Sequence, residues 1–275
     1  MRVVYCGQFT DSSGYGSAAR GYLAALDSIE ADIDLKLHNV AFEGVNKLSD
    51  KNKQLIKKYN FYDKEQLLRW ANEGNYILIW HLPSPSYFVH LSVHKEISEE
   101  TKLLMHSAKR VINLGAWEYD KLPLEWKKAW RETTTDATIA PSRWNQEVFS
   151  KASPDLNHYL VPHVIKDYDN TPQKPKNISE DMLKDKFVIF TMSQWGFRKG
   201  FDLLVRAYAA EFKDQEDVAL VMKTYGHYVG DVTAEAEKEQ NQKILKEIGN
   251  FKKSVILEEY KNPSAPIYFI PGILP

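Results

Sequence analysis

Short apolar runs alternate with longer stretches of helical spacing along nearly the whole chain. The runs cover residues 3–6, 33–37, 76–80, 111–114, 138–140, 159–161, 187–191, 218–222 and 267–270. All are brief and several are β-branched, as expected of strands buried on both faces of a parallel sheet. Between them, Tyr22, Leu23, Leu26 and Ile29 fall on one helical face, and so do Phe201, Leu204, Val205, Tyr208 and Phe212. This alternation predicts an α/β protein with parallel sheets.

The pattern breaks at residues 166–186, a polar stretch that carries Pro172 and Pro175. Such a stretch reads as a linker. It divides the chain into a first domain, 1–165, with six of the runs, and a second, 166–275, with three. A doubly wound domain has about five or six strands, so the second is expected to be incomplete. Two domains also suit 275 residues, given about 100–200 residues per domain.

Composition narrows the function. Basic residues number 36 and acidic residues 37, a formal net charge of −1. That balance gives no global field to hold nucleic acid by its phosphates. No apolar stretch approaches the roughly 20 residues that span a bilayer, so no transmembrane segment is expected. Cys6 is the single cysteine; it cannot form an intrachain disulfide, and a reducing, cytoplasmic setting is expected. It lies in an apolar run and reads as a small core residue.

Three strand ends of the first domain carry candidate chemistry. The loop Gly7-Gln8-Phe9-Thr10-Asp11-Ser12-Ser13-Gly14-Tyr15-Gly16-Ser17 follows the first strand and opens the first helix. Gly14 and Gly16 let the backbone approach a ligand, and the helix start offers N–H groups to an anion or a sugar hydroxyl; the alternative is a tight turn capped by Ser17. The third glycine of the dinucleotide fingerprint is missing, and His38-Asn39 stands where an acidic residue would end strand two, so a nicotinamide cofactor is disfavoured. His81 and Glu118 follow the third and fourth strands. Both sit where a cleft forms, with His81 either bonding a sugar or acting as acid or base; the alternative for each is a capping role. His90 and His94 have the i, i+4 spacing of metal ligands, but no third ligand accompanies them, so no metal is expected.

In the second domain, Thr191-Met192-Ser193-Gln194-Trp195-Gly196-Phe197-Arg198-Lys199-Gly200 joins a strand to a helix. Cations at a helix start oppose its dipole. Arg198 and Lys199 make sense there if a diphosphate lies between them and the helix N–H groups; the alternative is a solvated basic pair. Lys223 ends the next strand on the same edge, either facing that ligand or as a plain surface lysine.

In this order, the glycine loop, Ala140-Pro141-Ser142-Arg143-Trp144-Asn145-Gln146-Glu147-Val148-Phe149, Val161-Pro162-His163 and Arg198-Lys199-Gly200-Phe201-Asp202-Leu203-Leu204 resemble the GT-B glycosyltransferases of glycosyltransferase family 4. Gly115-Ala116-Trp117-Glu118-Tyr119-Asp120-Lys121-Leu122-Pro123 resembles a subgroup of it. The resemblance implies two Rossmann-like domains facing across a cleft. It also implies a retaining hexosyl transfer from a nucleotide sugar to an acceptor without a bound metal. By the same resemblance, Arg198 and Lys199 neutralise the donor diphosphate, and Gly14 and Gly16 border the donor phosphates and the acceptor. Two features depart from the family. Val164-Ile165-Lys166 replaces its usual Gly-Val-Asp. Its paired-glutamate motif and final helix do not occur before Pro275. A partner chain or self-association is therefore expected to complete the second domain. The competing readings are a nucleotide-sugar-binding module without turnover and a nucleotide-sugar epimerase of the same architecture.

Overall fold

The computed structural model describes residues 1–11, 13–29, 32–40, 48–82, 98–164, 180–225, 234–259 and 264–271. His90, His94 and most of the proline-bearing linker stretch lie outside these residues. The chain divides into two compact units, Met1–Tyr168 and Asp169–Pro275.

The first unit is built on six strands: β1 (Arg2–Gly7), β2 (Asp34–Asn39), β3 (Ile77–His81), β4 (Arg110–Leu114), β5 (Thr135–Ala140) and β6 (Asn157–Leu160). All are parallel, in the order β2-β1-β3-β4-β5-β6. The helices between them are α1 (Gly14–Ser28), α2 (Asp50–Tyr59), α3 (Lys64–Glu73), α4 (Glu99–Ser107), α5 (Leu124–Glu132) and α6 (Arg143–Ala152). β1 feeds both faces of the sheet. Val4 and Cys6 pack with Trp70, Leu78, Trp80 and Leu104 on one side; Val3 and Tyr5 pack with Ala19, Tyr22, Leu23 and Leu37 on the other. That two-sided burial is why the run reads as continuously apolar. Burial also pushes the Cys6 thiol far above its usual pKa, so it stays a neutral core group.

Chain order reverses between β1 and β3, which makes their carboxyl ends the switch point at which open α/β sheets form a ligand crevice. Two local expectations change. α1 is capped by Ser13, whose side chain accepts from Gly16 N, and not by Ser17, which lies inside the helix. Ile29 is the C-terminal cap of α1 and is exposed, so the buried stripe ends before it.

The second unit contains α7 (Glu180–Leu183), β7 (Phe187–Gln194), α8 (Phe201–Phe212), β8 (Val218–Tyr225), α9 (Ala234–Phe251) with a π-helical extension Lys252–Glu259, and β9 (Ile267–Pro271). Its three described strands are parallel, in the order β7-β8-β9. Phe201, Val205 and Tyr208 of α8 cover Val218, Leu220 and Met222 on one face. β8, paired on both sides, is buried nearly throughout. β7 lies at the edge of the described sheet, with Phe187, Phe190 and Met192 exposed.

Candidate functional site

In the first unit, the loop after β1 is held by its own backbone and by one arginine. Arg20 of α1 donates to Phe9 O at 2.9 Å and to Asp11 O at 2.6 Å, tying the loop down onto the helix that follows it. Thr10 is locked to Asn39 at the end of β2 by two bonds. The two candidate glycines differ. A Cβ on Gly16 would drive into the carbonyl of Asp11 and come within 2.8 Å of Gln8 O, whereas a Cβ on Gly14 would meet nothing within 4 Å. Gly16 therefore allows the close backbone approach, and Gly14 occupies open space at the helix start.

His81 ends β3 directly opposite Gly7. It is 1% exposed. Its Nδ1 lies 2.8 Å from Tyr5 Oη, and its ring is bounded by those of Tyr15 and Tyr22, with centroids 5.5 and 5.7 Å away. Tyr22 Oη donates to Val161 O, and the Tyr22 ring also meets His163, with centroids 5.9 Å apart. Desolvation, and then the neighbouring His163, lower the His81 pKa to about 3. A buried imidazole without an anionic partner stays neutral. Near neutral pH, His81 is therefore a hydrogen-bonding group and a poor proton donor for general acid catalysis.

Glu118 is exposed in the loop after β4, and it acts on the same cluster through Tyr15. Burial raises the Tyr15 pKa, the bond to Ala116 O at 3.3 Å opposes this, and the Glu118 charge adds to the rise. The Glu118 loop is pinned from α6. Ser142 caps that helix by accepting from Asn145 N, and the buried Asn145 side chain clasps Trp117 by both its N–H and its carbonyl. The Ser142–Asn145 stretch thus positions the residue next to Glu118.

The first unit accordingly sets Tyr15, between Gly14 and Gly16, against the His81 ring and bonds it to Ala116, two residues before Glu118. No sequence signal marks Tyr5, Tyr15 or Tyr22, because tyrosines in apolar surroundings read as core, and none marks Arg20 in its helix; His163 stands in the Val161-Pro162-His163 motif.

A separate cleft of about 290 Å³ opens at the carboxyl end of β2, lined by His38, Asp63, Lys64 and Glu100 among others. Its charges satisfy one another: Lys64 pairs with Glu100 at 2.6 Å, and His38 bonds Thr101.

In the second unit, Arg198 and Lys199 lie in a 3₁₀ turn, Phe197–Lys199, between β7 and α8. The sequence reading set them at the helix start; the helix begins two residues after Lys199, at Phe201, because Gly200 adopts the left-handed conformation, φ +65°. Gly200 provides no side-chain cap, so the first N–H groups of α8 have no side-chain acceptor there. Trp195 anchors the turn by stacking on Phe201 at 4.9 Å and donating its backbone N–H to Tyr225 O. Both cations are exposed. Lys223 is half-buried and stands two residues before the end of β8, because that strand runs on to Tyr225. Neither the Lys199 nor the Lys223 side chain has an ion-pair or hydrogen-bond partner among the described residues. No group of three or more potential metal ligands occurs among them either.

No protein-family model matches the chain, and no curated protein matches it in sequence. Solved structures do match. The E. coli trehalose-6-phosphate protein solved with UDP-2-fluoro glucose aligns at a TM-score of 0.53 and 12% identity, over 100% of this chain and 74% of that one. An α,α-trehalose 6-phosphate synthase from Burkholderia multivorans aligns at 0.49 and 10%, over 99% and 73%. A UDP-forming counterpart from Burkholderia xenovorans gives 0.49 and 11%, over 100% and 73%. With its six-stranded and smaller parallel sheets, this chain has the fold of the GT-B glycosyltransferases. No helix of the described residues is long and apolar enough to cross a membrane.

Proposed function

We propose that this chain is a retaining glycosyltransferase, or the larger part of one, that moves a hexosyl group from a nucleotide diphosphate sugar to an acceptor. In this reading Arg198, Lys199, Lys223 and the open N–H groups at the start of α8 receive the diphosphate. Breaking the bond between the anomeric carbon and the diphosphate leaves negative charge on the departing nucleotide. Preorganised cations and N–H dipoles stabilise that charge without a metal. Gly14 and Gly16 border the phosphates and the acceptor, His81 donates to a ligand oxygen, and Glu118 acts at the same edge of the first unit. The reading rests above all on one observation: side-chain cations on an exposed turn at the carboxyl end of β7, with Lys199 and Lys223 unmatched by any anion among the described residues.

The exposed β7 edge supports a further part of the proposal. Phe187 is 72% and Phe190 57% exposed on a strand with one pairing edge open in the described sheet. Edges of this kind are ordinarily covered or blunted. A second polypeptide or a second copy of the chain covers it here.

Calorimetry with UDP as the probe tests the diphosphate site. Arg198→Ala and Lys199→Ala should each weaken binding by about tenfold or more, since a charge-assisted bond contributes about 1.5–3 kcal/mol. Binding unchanged in both variants would remove the proposal's foundation. Binding without transfer to any sugar acceptor would favour the binding-module reading, and product formed with no acceptor present would favour an epimerase.

A further inference from the structure

Tyr5 is the buried group whose chemistry the proposed transfer leaves unused. It sits in β1 with Ile79 as its register partner, while Gly7 faces His81. Side chains two positions apart share a face of the sheet, so Tyr5 and His81 lie side by side, each 1% exposed. Their rings are nearly parallel, 15° apart with centroids at 6.0 Å. Phe9 holds the other side of the Tyr5 ring edge-on at 4.9 Å. Around His81 stand Tyr15, Tyr22 and, beyond Tyr22, His163. Tyr15 Oη donates to Ala116 O, two residues before Glu118, at 3.3 Å.

The direction of the proton between Tyr5 and His81 follows from what each group lacks. Burial pushes the Tyr5 hydroxyl well above its usual pKa, so it keeps its proton. Its one bond among the described residues is the 2.8 Å contact to His81 Nδ1. If Nδ1–H donated to the hydroxyl, the hydroxyl's own buried proton would have no acceptor, which is the costly arrangement. Tyr5 Oη–H therefore donates and Nδ1 accepts. A neutral imidazole that accepts at Nδ1 carries its proton at Nε2. Nε2 has no hydrogen-bond partner among the described residues: with Nδ1 protonated both the Tyr5 proton and the Nε2 lone pair would go unmatched, whereas with Nε2 protonated only that one N–H does.

We propose that Tyr5 is a positioning residue that fixes His81 as the neutral Nε2–H tautomer and so presents a single N–H donor, at the carboxyl edge of β3, to a hydroxyl or ether oxygen of the bound sugar or acceptor. The ligand-facing half of this statement rests on the proposed transfer function. The tautomer does not, and it is read on the ligand-free chain, so the two fail separately.

The test is a long-range ¹H–¹⁵N correlation spectrum of the full chain labelled in histidine nitrogen, with His81 assigned by its loss in His81→Gln. The expected result is the Nε2–H form in roughly tenfold excess near neutral pH, the ratio that a single net hydrogen bond sustains. In Tyr5→Phe, which keeps the ring and removes the donor, that excess should collapse towards a mixture while the signals of His38 and His158 stay in place. A wild-type spectrum in which the signal lost in His81→Gln shows Nδ1–H or an even mixture overturns the proposal, whether or not Tyr5→Phe folds. An unchanged excess in Tyr5→Phe overturns it as well, because packing alone would then be setting the tautomer.

Discussion

The two units present their candidate groups in opposite ways. In the first, most are tied down by hydrogen bonds inside the unit: His81 against Tyr5, Asn145 against Trp117, the part-buried Arg20 on two carbonyls, with Glu118 left exposed. In the second, they are cations: Arg198 and Lys199 on an exposed turn and a half-buried Lys223 in β8, with Lys199 and Lys223 lacking a partner among the described residues. The difference follows from packing. A six-stranded sheet covered on both faces can sequester polar groups only if they satisfy each other. The turn beside the exposed edge strand keeps Arg198 and Lys199 in water, where a charge costs little.

The sharpest break in that comparison is expected at the loop after β1. Gly16→Ala places a methyl group against the Asp11 carbonyl and near Gln8 O, both backbone atoms that cannot rotate away. The loop must open, and Arg20 loses its geometry with it. Urea denaturation should show a loss of about 3 kcal/mol, the upper range for overpacking. Gly14→Ala, two residues away in open space, should instead gain about 0.5–1 kcal/mol from helix propensity and reduced freedom of the unfolded chain. Similar losses from both substitutions would show that the loop, and not the one close contact, is fragile.

Acid should distinguish the units next. Burial lowers the pKa of His81, His38 and His163 in the folded first unit, that of His81 to about 3. Below the ordinary histidine value of about 6.5, the unfolded chain binds protons that the folded unit refuses. Stability is thus complete above about pH 6.5 and falls as pH drops from there towards 3. His81 alone contributes a slope of up to about 1.4 kcal/mol per pH unit over that window. His81→Gln should flatten the acid limb of melting temperature against pH while lowering the neutral plateau. A slope equal to that of the wild-type chain would mean that His81 is already charged in the fold.

Most of the architecture is legible before any coordinates. All nine strands of the described residues lie where the short apolar runs stand, the exposed edge strands β6 and β7 as well as the buried ones, because strands of a parallel sheet are short and apolar in composition. The strand ends are less legible. β8 continues through Lys223 to Tyr225, since its pairing with β7 and β9 outlasts the apolar run. Arg198 and Lys199 are separated from α8 by Gly200, whose left-handed backbone no periodicity reveals. Half of the first unit's candidate site is legible in the sequence. His81 and Gly16 stood out by residue type and position, but Tyr5 is indistinguishable in sequence from a core residue. It becomes chemical only through a neighbour 76 positions away.

The smallest expected effect bears on the second unit's edge. Phe190 of β7 is 57% exposed and pairs with Val221 through its backbone. If this edge stays bare in solution, Phe190→Thr removes an aromatic ring that is mostly in water already. Threonine suits a strand, so the cost should stay within roughly 0.5 kcal/mol, the range of ordinary surface changes. If a second copy or another chain covers the edge, the ring becomes part of a desolvated interface. Truncating a buried phenylalanine costs about 3–5 kcal/mol, and the loss would appear as dissociation before unfolding. Sedimentation velocity of the wild-type chain and of Phe190→Thr over a range of concentrations separates the cases. A wild-type assembly that the substitution dissolves identifies β7 as the covered edge. A wild-type monomer whose stability is untouched by the change means that the second unit tolerates an open, apolar strand, and its contrast with the first unit is then a property of the isolated chain.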